Sequence, residues 1–109
     1  MKKLLTTIAI LFVSAFAAFA GPHEEIQKAL DETEWVRDVY IDDLGILNIG
    51  VFAEEKTWDA PMIAAYVNGI IERSGATDIR MARFVDIRKI AHQNLTPRQA
   101  SIFSWYPRH

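Results

Sequence analysis

The sequence predicts an α+β fold, a small three-stranded mixed sheet packed by two helices in the order αββαβ, followed by a short C-terminal helix. Three observations predict it. Apolar residues recur with helical spacing over 22–33 and 59–74, and alternate as in strands over 34–53 and 77–90. The tetrapeptide Asp42-Asp43-Leu44-Gly45 between two alternating runs has the chemistry of a hairpin loop. Pro61, Gly75 and Pro97 punctuate the remaining elements where helices start and stop.

The opening stretch stands apart from this domain. Lys2 and Lys3 precede an apolar run from Ile8 to Ala20, broken only by Ser14 and ending in Ala18-Phe19-Ala20. That is a charged n-region, an h-region and a small-residue cleavage site. The run is shorter than the roughly 20 apolar residues a transmembrane helix needs, and Gly21-Pro22 stops a helix where a span has to continue. The expectation is a cleaved signal peptide at 1–20, a single domain at 21–109, export to a periplasm or beyond, and no transmembrane span in the mature chain.

Within the mature chain, Ile26, Ala29, Leu30 and Thr33 form one helical stripe, and Glu24 and Glu25 favour the first turn through the helix dipole. From Glu34 the period changes. Trp35, Val39 and Ile41 alternate with Val36, Asp38 and Tyr40, and Leu47, Ile49, Val51 and Ala53 alternate with Ile46, Asn48, Gly50 and Phe52. A type I turn closed by a left-handed Gly45 sets Ile41 opposite Leu47, Val39 opposite Ile49 and Trp35 opposite Ala53. The apolar pattern selects the same register as the turn.

Asp59 or Thr57 can cap the second helix, in which Ile63, Tyr66, Val67, Ile70 and Ile71 form the apolar stripe ahead of Ser74-Gly75. The strand expected at 77–90 places Ile79, Met81, Val85 and Ile87 on one face and Arg80, Ala82, Phe84, Asp86 and Arg88 on the other. Arg83 interrupts the first set, as at a bulge. Thr96, Pro97 and Gln99 carry three helix-start signals together, so the last helix is expected to run to about Trp105.

Composition narrows the function classes. The chain has no cysteine, which removes a disulfide framework, a lipid-anchoring thiol and a thiolate metal site. Once Lys2 and Lys3 leave with the leader, the formal charge moves from -2 to about -4, which with export argues against nucleic-acid partners. Charge is uneven: residues 21–59 hold 11 acids and 3 bases, residues 60–109 hold 3 acids and 7 bases. The two halves either attract each other in the fold or leave a basic surface.

No catalytic, cofactor or metal residue is assigned. Cleavage after Ala20 makes His23 the third residue, but an amino-terminal copper motif needs the deprotonated amide of residue two, and Pro22 has none. His92 lies in a polar segment and offers the one hydrolase candidate, if the fold brings a carboxylate to it. The acid pairs Asp42-Asp43 and Glu54-Glu55 belong to loops and lack the alternating oxygen ligands of a calcium loop.

The second face of the sheet is the candidate surface. Either the last helix covers it, or Tyr40, Phe52, Arg80, Phe84, Arg88, Trp105 and Tyr106 form an exposed basic and aromatic binding surface. That leads to a non-catalytic exported module engaging an anionic lipid surface or an envelope protein. The alternative is an interaction or inhibitor module docking through the 101–109 tail or a sheet edge, with homodimerisation through an edge strand.

The run Gly45-Ile46-Leu47-Asn48-Ile49-Gly50-Val51, with Ala64-Ala65-Tyr66-Val67 in the helix that follows, resembles the BON domain. At the entry to the last strand the chain reads Gly75-Ala76-Thr77-Asp78 where that family carries a glycine-valine step. The resemblance implies an αββαβ envelope module over about residues 24–90 that binds phospholipid or a membrane surface, and no functional residue is carried over from it.

Overall fold

Pro22 opens the first helix, α1 (Pro22–Asp31), in the computed structural model, which describes residues 21–107. The missing proline N–H costs nothing in a first helical turn, and α1 buries Ile26 and Leu30 one turn apart. The expected leader, 1–20, lies outside the described residues.

The hairpin of β1 (Asp38–Ile41) and β2 (Ile46–Val51) has the register the turn chemistry demands, Ile41 opposite Leu47 and Val39 opposite Ile49. Asp42 Oδ1 accepts from the Leu44 and Ile46 amides at 2.9 and 3.0 Å, and Gly45 closes the loop at φ 80°. Trp35 does not extend β1. The Val36 amide donates to Thr33 O at 3.1 Å, drawing residues 33–36 into a turn that lays the indole on the core.

Asp59 caps α2 (Ala60–Ser74) by accepting from the Met62 amide at 3.3 Å, and Gly75 ends it in the left-handed region. Ile63, Val67, Ile70 and Ile71 are its buried stripe. As the crossover, α2 returns the chain to β3 (Met81–Asp86), parallel to β2. Asp86 then caps α3 (Ile87–Gln93), and β4 (Ser101–Trp105) runs back antiparallel to β3, giving the order β1-β2-β3-β4.

The α+β class and the mixed sheet hold, but the expected pairing of Trp35 with Ala53 is absent from the hairpin register, and further expectations are corrected. The sheet has four strands rather than three, because the segment expected as a C-terminal helix is β4. Its start signals are used: Thr96 Oγ1 accepts from the Gln99 amide at 3.2 Å and Gln99 Oε1 accepts from the Thr96 amide at 3.0 Å. They close one turn and no more. Beyond it, Phe103 and Trp105 alternate with Ser104, and pairing along the free edge of β3 stacks Phe103 on Phe84 at 4.9 Å.

The long strand expected at 77–90 stops at Asp86, where the caps of α3 take over. The faces of β3 are also inverted. Parallel register sets Ala82 beside Leu47 and Phe84 beside Ile49, so Ala82 and Phe84 are core while Met81, Arg83 and Val85 take the opposite face. Of the four residues expected on the core face, Ile79 and Ile87 lie outside the strand, and Met81 and Val85 are on the opposite face.

α1 and α2 share one core with Leu47, Ile49, Val51, Ala82 and Phe84. Each fully buried Leu, Ile or Phe contributes about 1.5–3 kcal/mol relative to exposure. On the other face Tyr40 is exposed at the β1 edge, while Asn48, Gly50 and Val85 are buried towards the middle of the sheet. At one end α3 doubles back so that Ile87 lies on Gly50, where a Cβ would come within 2.6 Å of its side chain.

Candidate functional site

Register builds a row across that outer face. Tyr40 pairs with Asn48, Asn48 with Arg83 and Arg83 with Ser104, one residue from each strand. Side chains at paired positions share a face at one strand spacing, about 4.8 Å. The next row is Asp38, Gly50, Val85 and Ser101.

Asn48 is buried, and its amide is fully committed. Its Nδ2 donates to Tyr40 O and to Ile46 O, each at 3.3 Å, and its Oδ1 accepts from Arg83 Nη1 at 3.3 Å. The guanidinium is thereby held from behind by a neutral acceptor. Among the described residues Arg83 has no carboxylate partner, and its remaining donors are free for a ligand. Beside it Met81, Arg98, Ser101 and Ser104 complete a shallow hollow of about 410 Å³.

Chemically this donor set suits an oxyanion. A guanidinium presents its donors as a planar fork that matches phosphate or carboxylate, Arg98 adds a second positive charge, and two serine hydroxyls add adaptable donors. Of the acids, Glu24, Glu25, Asp31 and Glu32 belong to the helical layer, Glu54 and Glu55 are taken up by Arg88 and Arg37, and Asp38 stands exposed in the neighbouring row of the same face, at its far edge on β1.

The seven residues expected to form one surface fall in several places. Tyr40 (58% exposed) stands in the arginine row, and Tyr106 (78% exposed) follows Trp105 at the end of β4. Phe84 is fully buried among Trp35, Trp58 and Phe103 and leaves the candidate surface altogether. Trp105 faces the core and donates from Nε1 to Asn68 Oδ1 at 2.8 Å. Phe52 is half-buried with the Arg37 and Arg88 guanidiniums over its ring, at 5.2 and 4.6 Å from the centroid. Arg80 lies by the hairpin loop among Asp42, Asp43 and Asp78, an acidic rather than a basic setting.

Of the histidines, His23 Nε2 is 2.8 Å from Asp78 Oδ1, tying the start of α1 to the loop before β3. His92 is exposed in the last turn of α3. Sequence reasoning passed over Asn48, Arg98, Ser101 and Ser104. Asn48 was visible as the one polar side chain inside an apolar strand, and the two serines were hidden by reading their strand as a helix. Comparison with family models, with curated proteins and with solved structures finds no match.

Proposed function

We propose that the chain is a non-catalytic exported binding module that docks on an anionic phospholipid surface of the envelope through the open face of its sheet. The observation that carries this reading is the Arg83 guanidinium, oriented by Asn48, without a carboxylate partner among the described residues and standing in a hollow with Arg98, Ser101 and Ser104. In this reading Arg83 takes the headgroup phosphate, Arg98 supplies long-range attraction, and Tyr40 and Tyr106 sit at the headgroup level, where an amphipathic ring is at home. The resemblance to an envelope module of αββαβ order supports the same assignment.

The test is cosedimentation with digalactosyldiacylglycerol vesicles prepared with and without phosphatidylglycerol. Binding that requires phosphatidylglycerol and weakens about tenfold in Arg83→Gln supports the proposal, one lost charge-assisted contact being worth roughly that. Equal binding to both vesicles, or none, overturns it.

A second reading is favoured by the edge of β4. Its far side carries no strand among the described residues, and Ile102, the extra residue at the Phe84/Val85 irregularity, is exposed there. A second copy could add strand to strand at that edge. Sedimentation equilibrium separates the two: a dimer lost on Ile102→Lys favours the edge, a monomer at all concentrations removes it.

A further inference from the structure

On the helix-covered side, a cleft of about 280 Å³ opens between the loop before β1, the loop before α2 and the first turns of α2, with Trp35, Trp58 and Tyr66 among its walls. The indoles meet edge to face, 5.7 Å apart at 64°, and Tyr66 lies 5.9 Å from Trp35 at 56°. Rings at such angles are not stacked shut, and both indoles turn a face towards the same Lys56 ammonium.

Each ring is anchored from behind. Trp58 Nε1 donates to Ala53 O at 3.0 Å, and the Tyr66 hydroxyl is bonded to Thr33 Oγ1 at 2.9 Å, which in turn donates to Ala29 O. Trp35 and Trp58 both rest on the buried Phe84.

One cation already stands in this space. The Lys56 ammonium lies 5.6 Å from the Trp35 ring centroid and 5.0 Å from that of Trp58, and it makes no ion pair among the described residues. Its loop, 52–59, has no helix or strand to hold it there. The negative faces of two indoles therefore serve as the counter-group of its ammonium. The start of α2 opens on the same cleft, and its dipole opposes a cation, but the Asp59 carboxylate sits on that terminus.

We infer that the Trp35–Trp58–Tyr66 cleft is a cage for an organic ammonium ligand of the trimethylammonium class, and that Lys56 is its internal stand-in. A trimethylammonium group keeps its charge while shedding water more readily than a primary ammonium, so it gains more from an aromatic wall. Binding requires Lys56 to swing out, which makes the lysine a competitor of the ligand. The inference does not rest on the phospholipid proposal, since the arginine row lies on the opposite face of the sheet.

Choline titrated into the protein at constant ionic strength, read by tryptophan fluorescence, tests it, with 3,3-dimethylbutan-1-ol as the uncharged probe of the same shape. The expected results are saturable choline binding, binding of the alcohol weaker by about tenfold or more, and choline binding tightened several-fold in Lys56→Ala. Binding detected only in Lys56→Ala also supports the cage. No choline binding in either protein, equal binding of alcohol and choline, or affinity unchanged or weakened by Lys56→Ala overturns it. Phosphatidylcholine vesicles identify the source: capture competed away by choline extends the ligand to the lipid headgroup, and choline binding without capture confines it to free cations, both in support of the site.

Discussion

Arg83 and Asn48 are register partners on adjacent parallel strands, and Arg83 Nη1 donates to Asn48 Oδ1 at 3.3 Å. Since both Asn48 Nδ2 donors are held by backbone carbonyls, the amide cannot turn its oxygen away from the arginine. Asn48 thus acts as a positioning residue for the guanidinium. Asn48→Ala should cost about 1–2 kcal/mol of stability in urea denaturation and lower affinity for phosphatidylglycerol vesicles by about three- to tenfold. In the Arg83→Gln background the same change should leave vesicle affinity nearly unaltered, because the two act through one contact.

Vesicle binding should fall steeply with salt. The charges on the outer face are exposed or half-buried, and the screening length contracts from about 10 Å at 0.1 M to about 3 Å at 1 M. Cosedimentation across that range should show at least about a tenfold loss if headgroup charge drives docking, whereas an apolar insertion mode would resist salt.

Gly50→Ala should destabilise the fold. The added methyl meets Ile87 Cδ1 and Cγ1 at 2.6 Å, and the Ile87 side chain has to move to admit it, at about 1–3 kcal/mol. Pairing it with Ile87→Ala should return part of that loss in thermal or urea unfolding, since the clash is with that one side chain.

The two left-handed glycines at Gly45 and Gly75 should differ. At Gly75, φ is 79° with nothing within 4 Å of an added Cβ, so Gly75→Ala should cost only the backbone strain, about 1–2 kcal/mol. At Gly45, φ is 80° and the added Cβ runs into the Asp78 carbonyl oxygen, so Gly45→Ala should cost clearly more and loosen the β2 to β3 junction. Urea midpoints of the two variants give the comparison directly.

The helix-strand-strand-helix part of the fold was legible because local chemistry and long-range packing agree there. Asp42 and Gly45 fix the loop, and the loop fixes which residues of β1 and β2 face the helices. The β3–α3–β4 segment was not legible, because its structure is decided by neighbours distant in sequence. Nothing local to Ser101–Trp105 says that β3 has a free edge, and the capping signals at 96–99 serve a single turn as well as a helix. The inverted parity of β3 follows from pairing with β2, which only the parallel crossover establishes. For the same reason the arginine row was only partly visible: Tyr40 could be placed on the second face, but Arg83 and Ser104 join it only once the parity of β3 and the strand β4 are known.

β4 should prove essential to folding rather than a detachable tail. Phe103→Ala should cost about 2–4 kcal/mol, as its ring stacks on the buried Phe84, and a chain ending at Ala100 should lose its cooperative unfolding transition. Retention of a native far-ultraviolet spectrum and a sharp melt in that truncation would contradict the four-stranded sheet.

The most direct test of the phospholipid account is an amide chemical-shift titration of the isotope-labelled protein with short-chain phosphatidylglycerol below its micelle concentration. The account predicts saturable shifts at Arg83, Ser101 and Ser104 that disappear in Arg83→Gln. Shifts confined to Arg88 and Phe52, or none on the outer face, would contradict it.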